Sequence, residues 1–249
     1  MSKKVRADEL MVTSGLTESR TKAQAYILAG QVKWKEAKIQ KSSQMLPIDA
    51  ELSLENQMPY VGRGGLKMEN FLLEANWPVK GVDFLDLGAS TGGFTDCLLQ
   101  RGAKSATCVD VGRGQLHYKL RVDQRVTNLE KMNLKSLTQD DLPYPHYPLL
   151  VMDLSFISLR KVLRQAWGFL ENQGRLAALV KPQFECKKEE ADMGRGIIRD
   201  TDIHQRVLNE IKQFAREELA GCTLLIEILA HPSGNDGNKE FFLGWQKSL

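Results

Sequence analysis

Four charged residues of this chain occupy places where charge is costly unless it is paired or used. Asp153, Lys181 and Glu240 each stand at the end of an apolar, strand-like run, and Lys67 follows a glycine pair at the start of a helical pattern. Lysines and carboxylates gathered at one sheet edge can move a proton and stabilise charge as it develops. Those four residues are therefore a candidate catalytic group.

A second constellation lies upstream of three of them. Asp86-Leu87-Gly88-Ala89-Ser90-Thr91-Gly92-Gly93-Phe94 follows the strand-like run 82–85 and precedes a helical run, 95–102, closed by Gly102. In an open parallel sheet such a turn lies at the carboxyl end of a strand, where ligands bind, and its glycines allow close backbone approach. The next strand pattern, 105–109, ends on Asp110, which is placed to accept hydrogen bonds from two ribose hydroxyls. The glycines fall at 88, 92 and 93 and so miss the dinucleotide spacing G-x-G-x-x-G, and no Gly-Lys-Ser/Thr follows to make a phosphate loop. A nucleoside-bearing cofactor remains, with Asp86, Gly88, Ala89, Ser90, Gly92, Gly93 and Asp110 as its candidate contacts. Asn133, after the third strand pattern at 125–129, is a candidate near the base.

The elements that must position these groups alternate in type. Helical residues through Ala75 follow Arg63-Gly64-Gly65, and strand patterns recur at 148–153 and 175–182 around a helix at 159–170. A polar segment, 186–199, reads as a loop; a helix at 203–219, a strand at 222–230 and a last strand at 239–245 follow. Residues 231–238 would then turn a hairpin, making the final strand antiparallel. This order predicts an α/β fold with a Rossmann-like, doubly wound, mostly parallel sheet over residues 60–249.

The 249 residues suffice for one large domain and a small one. The net charge of +3 is modest but uneven: residues 1–45 hold nine Lys or Arg against four acids, which points that part at a polyanion. The cysteines at 97, 108, 186 and 222 form no C-x-x-C, so neither zinc nor a disulfide framework is predicted, and a reducing cytoplasm fits. The charged start, Lys3-Lys4-Val5-Arg6, argues against a secretory signal, and no run approaches a membrane span.

Within the amino-terminal part, helices are predicted at 7–12 and 19–29, the second capped by Ser19 with Arg20 and Lys22 on its first turn. Basic residues there oppose the helix dipole, which is easier to understand if an anion docks. Val32, Trp34 and Ile39 alternate with Lys33, Lys35, Lys38 and Lys41 in a half-buried hairpin, and 46–54 reads as one more strand. Residues 55–62 make a polar linker.

This unit, residues 1–58, resembles the S-four (alpha-L) RNA-binding domain through Arg6-Ala7-Asp8, Ser19-Arg20-Thr21-Lys22-Ala23 and Ala29-Gly30-Gln31-Val32. It departs from that family where a hairpin usually turned on Asn-Gly carries Lys35-Glu36-Ala37. The rest resembles the FtsJ-like ribose methyltransferases. The whole chain resembles the TlyA (hemolysin A) family of ribosomal RNA 2'-O-methyltransferases, through Arg63-Gly64-Gly65-Leu66-Lys67, Asp86 to Asp96, Asp110-Val111-Gly112, Gly114-Gln115-Leu116, Asp153-Leu154-Ser155-Phe156-Ile157-Ser158, Val180-Lys181-Pro182-Gln183-Phe184-Glu185 and Asn238-Lys239-Glu240.

The resemblance implies S-adenosylmethionine as cofactor, ribosomal RNA or ribosomal subunits as partner, cytidine as the target, and a tetrad of Lys67, Asp153, Lys181 and Glu240. RNA contacts are then expected from Arg6, Arg20, Lys22, Lys33, Lys35 and Arg63, with no metal. Methyl transfer from a sulfonium to a hydroxyl is an in-line displacement that orientation accelerates. In that reaction Lys181 would take the proton or stabilise the alkoxide, Lys67 would tune it and hold the ribose, and the carboxylates would orient both. Three alternatives stand beside this one: a membrane-active hemolysin, an RNA-binding module with an inactive methyltransferase domain, and a small-molecule methyltransferase. The last leaves the basic extension unexplained.

Overall fold

The computed structural model describes residues 3–55, 58–234 and 236–248, and the chain divides into two compact units, Met1–Met58 and Pro59–Leu249. The linker expected over 55–62 falls partly on Asn56 and Gln57, and the hairpin expected over 231–238 partly on Asn235, all outside the described residues.

The smaller unit runs β1 (Lys4–Arg6), α1 (Ala7–Thr13), α2 (Arg20–Leu28), β2 (Val32–Trp34), β3 (Ala37–Lys38), β4 (Met45–Pro47) and β5 (Leu52–Leu54). Ser19 caps α2 by accepting the Lys22 N–H at 3.3 Å. The single strand expected at 46–54 is two strands in different sheets. β4 pairs antiparallel with β1, and β5 with β2. Pro47 cannot donate to a continuing ladder, and a turn closed by the Ala50 N–H on the Pro47 carbonyl separates the two. The β2–β3 turn places Lys35 at φ +56°, the left-handed conformation that Asn-Gly adopts at lower cost. Ala7, Leu10, Met11, Ala23, Ile27, Val32, Ile39 and Leu46 form this unit's core.

The larger unit runs α3 (Arg63–Ala75), β6 (Asp83–Leu87), α4 (Gly93–Gln100), β7 (Ser105–Asp110), α5 (Tyr118–Arg121), β8 (Val126–Glu130), β9 (Tyr147–Met152), α6 (Leu163–Gly168), β10 (Leu170–Val180), α7 (Pro182–Glu185), α8 (Lys188–Met193), α9 (Thr201–Glu218), β11 (Cys222–Leu229) and β12 (Phe241–Lys247). Its seven strands are ordered β11-β12-β10-β9-β6-β7-β8, with β12 antiparallel to both neighbours and β10 to β8 parallel. The expected sheet, mostly parallel with an antiparallel final strand, is therefore present.

Alternation along each strand feeds two cores. In β10, Leu176, Ala178 and Val180 join the core that includes Val207, Leu208 and Ile211 of α9, whereas Ala177 and Leu179 join the one that includes Met68 and Phe71 of α3. Helix α9 buries His204, Val207, Leu208, Ile211 and Ala215, one stripe at helical spacing.

Two boundaries differ from the sequence expectation. The helix expected at 159–170 is a 3-10 turn, Leu159–Lys161, followed by the short α6, and β10 begins at Leu170 with a bulge before Arg175. The loop expected at 186–199 contains α8. Beyond α8 the chain is tied down by Asn238, which accepts the Ile198 N–H and donates to the Gly196 carbonyl, both at 2.9 Å.

Candidate active site

Strand order reverses between β6 and β9. The first crossovers from β6 run out to β7 and β8, and the later ones to β9 and β10. Such a switch point opens a crevice at the carboxyl ends of the strands. Here the Asp153 N–H donates to the Leu87 carbonyl at 3.2 Å. Gly88, at φ +87°, must be glycine, because a Cβ there would stand 2.6 Å from the Asp153 carbonyl oxygen. Gly92, at φ +89°, would meet Leu120 at 2.2 Å. The small residues of the turn therefore serve the packing of the turn itself, a reason beyond ligand approach.

On the β7 side of the crevice, each oxygen of Asp110 accepts one backbone N–H, from Ser90 at 2.8 Å and from Gly112 at 2.7 Å. Beside it lies a cleft of about 430 Å³ walled by Val111, Met132, Leu134, Leu154 and Ile157, with Gln115 and Asn133 as polar members. Asn133 also caps the following turn by accepting the Lys135 N–H at 3.0 Å. Apolar walls with a few convergent polar groups suit a nucleobase and its sugar.

Asp86 lines not this apolar cleft but the neighbouring one on the β9–β10–β12 side, and is sealed from solvent. One oxygen accepts the Thr95 hydroxyl at 2.6 Å, while the other has no partner among the described residues. Burial pushes its carboxyl up to about 7, and the negative charges of Asp153 and Asp110 add to the effect. A diol acceptor at Asp110, an apolar slot, and an orphaned carboxylate oxygen for an ammonium group fit S-adenosylmethionine.

On the β9–β10–β12 side, a second cleft of about 520 Å³ brings Lys67, Asp153, Lys181 and Glu240 together. Asp153 and Lys181 follow β9 and β10, and Glu240 precedes the antiparallel β12, so all three stand at one sheet edge. They form two pairs. Lys67 Nζ donates to Glu240 Oε2 at 2.5 Å in a dry corner, and Lys181 Nζ lies 2.6 Å from Asp153 Oδ1 and donates to Ser155 Oγ at 3.0 Å. Gly88, Ser90, Asp153, Ser155 and Phe156 line both clefts, so the two meet at the switch point.

Lys67 is aimed by close helix packing. A Cβ on Gly93 of α4 would stand 2.8 Å from the Gly65 nitrogen of α3, and a Cβ on Gly65 would enter the Tyr60 ring. The glycines before Lys67 thus let α3 lie against the start of α4.

Among the expected RNA contacts, Arg6 is bidentate to Asp8, both bonds 2.9 Å, and Arg20 reaches the same carboxylate at 3.3 Å. Lys22 pairs with Glu18 at 3.1 Å and Lys33 with Glu55 at 2.5 Å. Lys35 is exposed, with its ammonium 5.4 Å from the Trp34 ring centre. Arg63 donates to the Ser233 carbonyl at 2.9 Å.

Sequence reasoning gave no role to Phe156, Gln183 and Phe184, all of which line the second cleft. Phe156 is 89% exposed at φ +63°, a strained conformation for an aromatic residue, with its ring 5.0 Å from that of Phe184. Both aromatics lie inside quoted motifs, but nothing in their spacing marks them as exposed.

A doubly wound sheet with a cofactor crevice at its switch point and a lysine–carboxylate cleft beside it defines a methyltransferase-type α/β enzyme. The chain belongs to the FtsJ-like methyltransferase family, whose model matches residues 60–247. A Bacillus subtilis (strain 168) protein provisionally named rRNA methyltransferase YqxC is 42% identical, over 97% of this chain and 85% of that one. The 16S/23S rRNA (cytidine-2'-O)-methyltransferase TlyA of Mycobacterium tuberculosis (strain ATCC 25618 / H37Rv) is 36% identical, over 98% of this chain and 90% of that one. A solved structure from Streptococcus thermophilus, carried under a provisional hemolysin name, is 37% identical with a TM-score of 0.74, over 100% of this chain and 90% of that one. Among the described residues no helix is long and apolar enough to cross a membrane.

Proposed function

We propose that the protein is an S-adenosylmethionine-dependent methyltransferase that modifies a ribose 2'-hydroxyl, on cytidine, in ribosomal RNA or ribosomal subunits in the cytoplasm. The observation that carries this reading is the meeting of the two clefts at Gly88 and Asp153, with two lysine–carboxylate pairs on the acceptor side.

S-adenosylmethionine supplies an electrophilic methyl group on a sulfonium. Asp110 holds the ribose diol of the cofactor, Asn133 and the apolar wall take its base, and Asp86 answers its ammonium. The turn residues Gly88, Ala89, Ser90, Gly92 and Gly93 shape the floor. In the acceptor cleft, Lys181 faces the target hydroxyl: as an amine it takes the proton, and as an ammonium it stabilises the oxygen's developing charge. Asp153 and Ser155 fix the direction of Lys181. The Lys67–Glu240 pair holds the target ribose, so orientation supplies much of the acceleration. Exposed Phe156 offers a face on which an unstacked base can lie, as single-stranded RNA recognition requires.

The amino-terminal unit, read as an S-four-type domain, carries the RNA through Arg6, Arg20, Lys22, Lys33 and Lys35, and Arg63 lines the second cleft itself. Arg20, its side chain half exposed, also pairs with Glu9 at 3.4 Å, so RNA phosphate would compete with that carboxylate for it.

The test is transfer of labelled methyl from S-adenosylmethionine to ribosomal subunits and to naked ribosomal RNA. Wild type should label a ribose 2'-oxygen. Lys181→Ala should fall at least ~10²-fold, the scale of a positioned acid–base group, with cofactor affinity nearly intact. A variant keeping more than a few per cent of activity, on the order of a hundredfold loss being expected, removes Lys181 from that role.

A further inference from the structure

The loop 153–158 is the shared wall of the two clefts, carrying Asp153, Ser155 and Phe156. The sheet ties down only its first residue, through the Asp153 N–H on the Leu87 carbonyl, and no helix sets the rest, since the 3-10 turn begins only at Leu159. Phe156 is the difficult residue within it. A solvent-exposed aromatic at φ +63° gains nothing from burial, and such a conformation persists only where the surroundings over-determine it.

The segment that opposes the loop is 181–185. Lys181 holds the loop's start through Asp153 and Ser155, at 2.6 and 3.0 Å. Phe184 supports the Phe156 ring at 5.0 Å. Glu185 holds the loop's end: Oε1 accepts the Leu159 N–H at 2.5 Å, and Oε2 accepts the Ser158 hydroxyl at 2.7 Å.

Glu185 is buried, 5% exposed, and burying a carboxylate is costly unless it is both paired and hydrogen-bonded. The nearest guanidinium, Arg160, stands 3.6 Å away and spends its two terminal nitrogens on the Glu185 main-chain carbonyl and on Glu210, each at 3.1 Å. Burial pushes the Glu185 carboxyl up, outweighing the Leu159 and Ser158 bonds and the Arg160 charge that oppose it. The two hydrogen bonds that this buried carboxylate accepts both come from the loop's end, one to each oxygen, and Arg160 is the cation beside it.

We infer that Glu185 is a positioning residue for the acceptor cleft, clamping the end of loop 153–158 so that Phe156 is held upright for the incoming RNA. The inference rests on the methyltransferase reading above. Without the clamp, Phe156 can relax to negative φ and leave the cleft, while the Lys181 pair at the other end of the loop persists.

A double-mutant cycle tests this. RNA kcat/KM, melting temperature and S-adenosylmethionine Kd are measured for wild type, Glu185→Ala, Phe156→Ala and the double variant. If Glu185 acts through Phe156, Glu185→Ala lowers kcat/KM on the order of tenfold in the wild-type background and by less than about twofold once Phe156 is gone. Equal fold-losses in both backgrounds overturn the inference and mark Glu185 as a general stabiliser. If Glu185→Ala does not fold, the cycle is run with Glu185→Gln, which keeps the volume and one acceptor oxygen. Absence of methyl transfer by wild type to any RNA sinks the function itself, a result separable from an additive cycle in an active enzyme.

Discussion

Asp8 of the amino-terminal unit and Asp86 at the end of β6 are both 0% exposed, yet their surroundings differ in kind. Asp8 receives Arg6 through two bonds, Gln24 at 2.8 Å and Arg20 at 3.3 Å, and these donors hold its carboxyl well below the usual carboxylate range. Asp86 receives one hydroxyl, keeps an oxygen without a partner among the described residues, and is pushed up to about 7. The chain satisfies the first carboxylate itself. It leaves the second facing a cleft, where a ligand's cation would complete the set. The two lysine–carboxylate pairs lie between these extremes, with one lysine per carboxylate. The Lys67–Glu240 side chains are 10% and 5% exposed, and those of Lys181 and Asp153 are 12% and 25%.

The most severe way to alter this series is to turn Glu240 into an unpaired buried carboxylate. Lys67→Met should cost about 3–5 kcal/mol, the penalty of removing one partner of a buried ion pair, read by urea unfolding. Lys67→Met with Glu240→Leu should recover most of that stability but no methyl transfer. If the single variant is as stable as wild type, the corner is wetter than its geometry indicates, and the contrast with the Lys181 pair fails.

Asp8→Asn sharpens the comparison from the other side. The loss of charge-assisted bonds should cost about 1.5–3 kcal/mol at neutral pH. Because its folded pKa is depressed, the stability Asp8 contributes is present above the unfolded carboxylate pKa and fades as pH falls through the folded one. The gap between wild type and Asp8→Asn should therefore close on acidification below pH ~4. A gap that stays constant down to pH 2 would mean that the amide loses packing, not charge. RNA affinity should also drop in this variant, since Arg6 and Arg20 lose the group that aims them.

These carboxylates also show which parts of the molecule were legible in sequence. The strand–turn–helix order around Asp86, the strand ending on Asp110, and the runs ending near Asp153 and Lys181 are punctuated by glycine and by apolar runs, so the sheet could be anticipated. The split between β4 and β5 could not, because a run such as Leu46 to Leu54 keeps its apolar pattern across the turn after Pro47. Helix α8, with the sequence Lys-Glu-Glu-Ala-Asp-Met, has no apolar stripe, and the Glu190 carboxylate accepting the Lys187 N–H at 2.9 Å caps its start. Phe156 and Glu185 were invisible for a third reason. An exposed aromatic and a buried acid invert the usual sorting of residue types, and only the fold reveals the inversion.

Asp86→Asn separates the two aspartates most cleanly. A raised folded pKa has the opposite linkage to that of Asp8: the protein binds the extra proton when folded, so stability is fullest below the unfolded pKa and is lost as pH rises through about 7. Across that window wild type should lose up to about 1.4 kcal/mol per pH unit through this group, and Asp86→Asn should not. The variant should then be the more stable protein at pH 8 and no better than wild type at pH 4. Cofactor binding should run the other way. Ionised Asp86 attracts an ammonium, so wild-type affinity for S-adenosylmethionine, measured by calorimetry, should rise between pH 6 and 8, whereas the variant binds weakly at both. Equal pH dependence in the two proteins would show that Asp86 meets no cation of the ligand, and its unsatisfied oxygen would then be a cost of the β6 turn alone.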